Sequence, residues 1–236
     1  MGESSWKFES SPGHHIAAAA ALPAVQPSAS ETLLSTHLHR GDLPGGIDWG
    51  TAVAIDTETM GLQTARDRLC LVQLSAGDGV SHLVQIAAGQ KTAPNLTALL
   101  ADPKVTKLFH FARFDLAILK HTLGVMPGPV YCTKIASRLV RTFTDRHGLK
   151  DLARDLLNVE LSKQQQSSDW GAAELTTEQL RYAAADVLYL HRLRERLDEM
   201  LAREGRTELA QACFAFLPTR VELDLAGWGA EDIFAH

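Results

Sequence analysis

The segment TAVAIDTETMGL, residues 51–62, begins as an apolar run and continues into two acidic side chains. The composition of residues 51–56 predicts a buried β-strand. Side chains alternate along a strand, so Asp56 and Glu58, two residues apart, are expected on one face where the strand ends. Taken alone, such a pair is more often a solvated surface than a functional site.

Two further strands are predicted close behind, over residues 68–79 (RLCLVQLSAGDG) and 81–86 (SHLVQI). The links between them are too short for crossover helices, which indicates an antiparallel meander. A buried strand is predicted over residues 107–111. Helical patterns predict helices over residues 95–102, 114–124, 134–143 and 148–159, and one long helix from Thr176, where Gln179 completes a capping box, to Gly205.

Composition limits the class of protein. A chain of 236 residues, 45% of them hydrophobic, can form one sizeable core. No apolar run approaches the roughly 18 residues of a membrane span. Cys70, Cys132 and Cys213 are far apart among apolar neighbours, which indicates buried thiols and a reducing, cytoplasmic location. A net charge of −5 lacks the basic surface that grips long nucleic acid, so nucleic-acid chemistry here would need short substrates or cations.

The two ends differ in composition from the middle of the chain. Residues 1–36 are rich in Ser, Pro and Ala without a sustained period, and we interpret them as a disordered leader or an expression tag. Residues 37–236 are predicted to form a single domain. From about residue 206 the chain keeps large apolar side chains, which indicates an arm that packs on its own domain or on a neighbouring subunit.

Three more residues complete a possible site. Asp115 begins the predicted helix after the strand 107–111, although an acid there can simply favour a helix N-terminus. Tyr182 and Asp186, four apart, share a helix face, although they could be only a hydrogen-bonded pair. Four convergent carboxylates would repel by roughly 4 kcal/mol per pair at 4 Å and a dielectric constant near 20. Oxygen ligands select Mg²⁺ or Mn²⁺, and two such ions can promote displacement at phosphorus.

The motifs IDTETMGL, FHFARFDLAIL and YAAADVLYL occur in the order that is typical of the DEDD exonuclease superfamily, which this chain resembles. The tyrosine branch of that superfamily has Tyr four residues before the last Asp, as here. The histidine branch has His five residues before it, where this chain has Arg181. The resemblance implies an α/β, ribonuclease H-like fold. Its mixed central sheet would combine an antiparallel meander with parallel strands and be flanked by helices.

Longer segments, including TDRHGLK, SKQQQSSDW and LAGWGAEDIFAH, are similar to nanoRNase C, a family of short ribonuclease D relatives. The similarity covers about residues 37–236. It implies a 3′-5′ exoribonuclease that prefers dinucleotides, including linear products of cyclic dinucleotide signalling, and that forms a homo-octamer. The alternatives are a broader ribonuclease D-like exonuclease on longer RNA or DNA 3′ ends, and an inactive nucleic-acid-binding module.

The resemblance also implies roles for the acidic residues and the tyrosine. Asp56, Glu58 and Asp186 would hold the first Mg²⁺ or Mn²⁺. Asp56 would bridge to the second ion, with Asp115 helping directly or through water. Tyr182 would orient the attacking water, and the product would be a nucleoside 5′-monophosphate.

Substrate contacts are expected from other residues. Leu62 would wedge between the last two bases, as an apolar residue does in relatives. His110, Arg113, Lys163 and Gln166 are candidates for phosphate and sugar contacts. The run from His110 to Arg113 departs from the superfamily, which often carries Asn here.

Overall fold

The computed structural model describes residues 36–64, 66–162 and 164–235. Within these residues six strands form one mixed sheet. In chain order the strands are β1 (Thr36–Arg40), β2 (Ala52–Thr59), β3 (Leu69–Ser75), β4 (Ser81–Gln85), β5 (Thr106–Phe109) and β6 (Val130–Cys132).

The sheet combines both strand directions, in the spatial order β1-β4-β3-β2-β5-β6. The antiparallel pairs β2–β3 and β3–β4 confirm the predicted meander. Strands β1, β5 and β6 add in parallel to β4, β2 and β5 respectively. The predicted fold class is therefore confirmed. The sequence did not reveal the edge strands β1 and β6, because the first is polar and the second has only three residues.

Seven helices surround the sheet in the described part of the chain. They are α1 (Pro94–Ala101), α2 (Ala112–Leu123), α3 (Thr133–Val140), α4 (Leu149–Leu157), α5 (Thr177–Leu188), α6 (Leu190–Arg203) and α7 (Thr207–Leu223), and a π-helical turn, Asp224–Trp228, follows. Helix α2 ends at Gly124, which adopts the left-handed conformation that glycine tolerates best (φ 74°).

The predicted single helix from Thr176 to Gly205 is wrong in one respect. The capping box at its start is present, with Thr176 accepting from the Gln179 amide and Gln179 accepting from the Thr176 amide. The helix breaks at Tyr189, however, giving α5 and α6. The break lets α5 lie against β2, β3 and β4 while α6 packs on α3 and α4. Periodicity alone does not report such a change of direction.

Strand β3 is buried along its whole length, because side chains cover both faces of the sheet there. Cys70, Leu71, Leu83 and Trp170 form a small apolar cluster with α5 on one face. Most of the other buried apolar residues belong to one larger cluster. Cys132 is also buried, as predicted, whereas Cys213 is only half-buried.

Helix α7 packs on its own domain. Its buried residues include Phe214, whose ring lies 4.7 Å from that of Tyr131. Several large apolar residues nearby remain exposed in the isolated chain, namely Leu209, Phe216, Leu225, Trp228, Ile233 and Phe234. Residues 1–35, almost all of the predicted leader, lie outside the described residues. In the part of the chain that the structure covers, no helix is long and apolar enough to cross a membrane.

Candidate active site

Two elements bring three carboxylates together. Asp56 and Glu58 lie two residues apart on β2, and α5 places Asp186 beside them. One oxygen from each of these side chains lies within 4.8 Å of the others. Carboxylate oxygens at this separation fit a hard divalent cation such as Mg²⁺ or Mn²⁺, because one ion can be shared by all three.

Asp115 lies next to this group but does not belong to it. It occupies the first turn of α2 and is almost fully buried. The Thr57 hydroxyl donates to its Oδ1 at 2.7 Å. Thr57 therefore fixes the orientation of this fourth carboxylate from the strand that carries Asp56 and Glu58.

The metal-free carboxyl groups resist ionisation. Burial raises the pKa of Asp56 to about 7. Burial, followed by the negative charges of neighbouring carboxylates, raises the pKa of Glu58 to about 10. Burial, with the charge of Asp56, also raises the pKa values of Asp115 and Asp186 well above their usual range. Cations would relieve this repulsion, so the site fits a metal both in its donor atoms and in its charge.

Tyr182 lies one helical turn before Asp186 and is half-buried at the same site. Burial raises its pKa above the usual phenol range, and the negative charges of Asp186, Glu58 and Asp56 and a hydrogen bond with Asp186 act in the same direction. The phenol therefore keeps its proton at neutral pH. It can orient a water molecule, but it is a poor base.

The loop after β2 presents Leu62. The Asp67 carboxylate accepts from the Gln63 amide at 2.9 Å and from the Arg66 guanidinium at 2.6 Å. A Cβ at Gly61 would lie 2.3 Å from an Asp67 oxygen, so this packing requires glycine there. The tight loop leaves the Leu62 side chain 84% exposed. An exposed leucine held in this way is available to contact a ligand.

A cavity of about 640 Å³ connects these groups. The residues lining it that the sequence predicted for the site are Asp56, Glu58, Leu62, His110, Asp115, Gln166, Tyr182 and Asp186. The structure therefore brings eight of the ten predicted site residues to one cavity. Their individual roles remain predictions.

The other two predicted residues are not part of this set. The Arg113 guanidinium donates to both Asp224 oxygens, at 2.5 and 2.7 Å, and to the Gly229 carbonyl. The structure does not bring it to the cavity lining. Lys163 lies outside the described residues.

Several lining residues were missed by the sequence analysis. The Lys134 ammonium lies 4.1 Å from the centre of the Phe111 ring, and both residues line the cavity. Phe111 has a left-handed backbone (φ 69°) that is uncommon for a non-glycine residue. Trp170 is 2% exposed, and its indole N–H has no partner among the described residues. Lys134 follows β6, which no sequence pattern revealed.

Known proteins resemble both the sequence and the geometry. A 3′-5′ exonuclease family matches residues 37–202. NrnC of Brucella melitensis is 61% identical with a TM-score of 0.84, and the match covers 86% of this chain and 99% of NrnC. NrnC structures with bound Mg²⁺ and bound to pGG are each 60% identical, with TM-scores of 0.83.

Longer ribonucleases match part of their own length. Escherichia coli RNase D is 29% identical with a TM-score of 0.65, over 72% of this chain and 45% of RNase D. Ribonuclease D of Gluconacetobacter diazotrophicus is 39% identical over 165 residues, which are 70% of this chain and 42% of the relative. The chain thus spans about two fifths of the curated ribonuclease D relatives it matches. The family match and the near-complete match to NrnC show that the chain belongs to the 3′-5′ exonuclease family, in the NrnC group.

Proposed function

We propose that the protein is a metal-dependent 3′-5′ exoribonuclease that hydrolyses short oligonucleotides, preferentially dinucleotides, to nucleoside 5′-monophosphates. The observation that carries this proposal is the group formed by Asp56, Glu58 and Asp186, whose oxygens lie within 4.8 Å of one another at a cavity. Membership of the exonuclease family supports the same chemistry. The substrates would include linear dinucleotides left when cyclic signalling dinucleotides are opened.

Each site residue would have a distinct task. Asp56, Glu58 and Asp186 would hold a first Mg²⁺ or Mn²⁺, and Asp56 and Asp115 would hold a second. When bound, such ions acidify water and stabilise the attacking and leaving oxygens of a displacement at phosphorus. The protonated Tyr182 would hold the attacking water in line with the terminal phosphodiester.

Other lining residues would position the oligonucleotide. The exposed Leu62 would insert between the last two bases, and Gln166 would contact the backbone. We keep Lys163 as a candidate phosphate contact because its charge complements the substrate.

Two observations support a short substrate. The net charge of −5 provides little non-specific attraction for long nucleic acid. One relative, NrnC of B. melitensis, has been solved bound to pGG. Ribonuclease D-like action on longer RNA or DNA is the competing activity.

The test is a length series. 5′-labelled RNAs of two to seven nucleotides are offered at equal concentration with Mg²⁺ or Mn²⁺, and initial rates are compared. We expect the dinucleotide to be cleaved fastest and 5′-monophosphates to be released. Faster cleavage of the longest RNA would contradict the length preference, and metal-independent or absent hydrolysis would contradict the activity itself.

We also propose a homo-oligomer, an octamer, formed through the C-terminal arm. The exposed apolar residues there support it, because Phe216 and Phe234 lie in ring contact (6.1 Å) yet remain 40% and 66% exposed in one chain. Light scattering would give the mass in solution. Phe234→Ala should lower that mass, and a monomeric wild type would refute the proposal.

The free thiols Cys70 and Cys132 support a reducing, cytoplasmic location.

A further inference from the structure

The carboxyl ends of β5 and β6 form one wall of the cavity. These parallel strands are neighbours, so the residues that follow them, His110 and Thr133, meet at the same edge of the sheet. The His110 Nδ1 lies 2.9 Å from the Thr133 hydroxyl oxygen. The Thr133 hydroxyl in turn donates to the Phe109 carbonyl at 3.2 Å.

This chain of contacts assigns the tautomer of His110. A hydroxyl has one proton, and that of Thr133 is directed to the Phe109 carbonyl. Thr133 must therefore accept from His110, so Nδ1 carries the proton and Nε2 keeps its lone pair. Burial, followed by the positive charge of Lys134, lowers the pKa of His110 to about 3, which keeps the ring neutral at physiological pH.

The remaining polar atom of His110 is thus an acceptor in a residue that lines the cavity. No hydrogen bond from another described residue reaches Nε2. Phosphate oxygens are themselves acceptors and would repel this atom. A ring with so low a pKa is also a poor general base near pH 7. What Nε2 can bind on a nucleotide is therefore an O–H or N–H donor.

The next residue, Phe111, favours the sugar over the base as the source of that donor. Phe111 is 47% exposed, has a left-handed backbone (φ 69°) and lines the cavity. Strained conformations of this kind often occur at functional sites. An exposed ring offers a face on which any base can stack, which places the attached sugar close to the ring. Lys134, 4.1 Å from the ring, is suited to the neighbouring phosphate.

From this geometry we infer that His110 Nε2 accepts a hydrogen bond from a ribose hydroxyl of the bound oligonucleotide, which makes His110 a specificity-determining residue. The inference rests on the proposed function, since it concerns the substrate of the same cavity. It also narrows the role predicted for His110 from phosphate or sugar to the sugar alone.

The test removes the acceptor and the donor separately. His110→Asn keeps an amide N–H near the Nδ1 position for Thr133 but has no acceptor at the Nε2 position. Wild type and His110→Asn are compared on a 5′-phosphorylated GG diribonucleotide and on three analogues, each lacking one hydroxyl: the 2′-OH of either nucleotide or the terminal 3′-OH. Both kcat/KM and the dissociation constant with Ca²⁺ in place of Mg²⁺ are measured.

We expect the wild type to disfavour one analogue by about tenfold, as for one neutral hydrogen bond. His110→Asn should lose about the same factor on the full diribonucleotide and nothing further on that analogue. His110→Gln, whose carbonyl can reach the Nε2 position, should recover part of the preference. The analogue that the wild type disfavours and His110→Asn does not lacks the hydroxyl that His110 binds.

Several outcomes would overturn the inference. A purely structural His110 would lower binding and turnover of all four dinucleotides by one common factor. A preference that changes with the base, when AA replaces GG, would assign Nε2 to a base N–H instead. Thr133→Val keeps the side-chain volume but removes the hydroxyl that fixes the His110 tautomer, so the hydroxyl preference should weaken. An unchanged hydroxyl preference in that variant would overturn the tautomer on which the inference rests. Hydrolysis without hydroxyl preference would refute only this inference, whereas absent metal-dependent hydrolysis would refute the proposed function.

Discussion

Within the ranges that the structure describes, the acidic residues of the carboxylate site have no basic partners, whereas those of the C-terminal ion-pair network do. Helix α2 contributes a residue to both regions. At the site, Asp56, Glu58 and Asp186 face one another, and no ion pair to them exists among the described residues. At the C-terminus, Asp224 is held by Arg113 and by Arg220 at 2.9 Å. Acidic groups held together cost stability, as is expected of a ligand-binding site, whereas the ion pairs at the C-terminus are expected of packing.

The largest expected effect is loss of catalysis without loss of fold. Asp186→Asn removes one carboxylate from the shared group, so turnover of a labelled dinucleotide should fall by about a thousandfold or more, since a catalytic metal supplies several kcal/mol. The metal-free variant should be at least as stable as the wild type, because the amide removes a buried carboxyl group whose ionisation is unfavourable beside Asp56.

Rates with Mg²⁺ or Mn²⁺ and thermal unfolding in EDTA give the two readouts. Asp145→Asn, an exposed acid-to-amide change on the loop between α3 and α4, is the matched control and should alter neither. Unchanged turnover in Asp186→Asn would remove the basis for the site.

The next effect concerns packing of the C-terminal helix. Phe214→Ala removes a buried ring that contacts Tyr131, and should lower the free energy of unfolding by about 3–5 kcal/mol. Gln211→Ala, on the same helix but exposed and polar, is the control and should change the free energy of unfolding by less than about 0.5 kcal/mol. Urea unfolding measures both. Equal losses would show that α7 does not pack as described.

The comparison also separates what the sequence could reveal from what it could not. Asp56 and Glu58, and Tyr182 and Asp186, are related by spacings of two and four residues within single elements. Regular strand and helix geometry places such pairs on one face whatever the rest of the fold does. The placing of each pair on one face was predictable for this reason, and the meander was predictable from the short links between its strands.

Long-range pairing was not predictable in this way. Arg113 lies two residues from Asp115 and resembles a substrate contact, but its partner Asp224 is 111 residues away. Lys134 reaches the cavity only because β6 pairs with β5, and that strand is too short to leave a pattern. The break at Tyr189 depends on how α5 and α6 pack, which helical periodicity does not encode.

A smaller effect, the pH dependence of stability, tests the unpaired carboxyl groups directly. The pKa values of Asp56 and Glu58 are raised to about 7 and 10, so between pH 4 and 10 the metal-free folded state binds more protons than the unfolded state. Their contribution to stability is therefore greatest below pH 4 and is lost as pH rises through these values. Metal binding to the folded state opposes that loss. A metal concentration of 100 times its dissociation constant should raise the free energy of unfolding by about 2.7 kcal/mol.

Protons compete with the metal ion for the carboxylates. The increase in stability caused by a fixed, subsaturating Mg²⁺ or Mn²⁺ concentration should therefore be larger at pH 8 than at pH 6. Thermal unfolding in EDTA and in metal at both values measures it. Asp186→Asn should lose most of the gain. An equal gain at both pH values, or one retained in that variant, would show that the ion binds elsewhere.

The smallest effect decides between two roles for Arg113. Its ion pair with Asp224 is partly exposed, so breaking it should cost only about 1 kcal/mol of unfolding free energy. Arg113→Gln should then lower stability by about this amount, Asp224→Asn, which also breaks the ion pair with Arg220, should lower it by at least as much, and both should leave KM for the dinucleotide unchanged. If Arg113 instead contacts the substrate, Arg113→Gln alone should raise KM. Asp224→Asn should not, because Asp224 does not line the cavity. A raised KM in Arg113→Gln with a normal KM in Asp224→Asn would therefore support the sequence prediction and weaken the division between a paired C-terminal network and an unpaired carboxylate site.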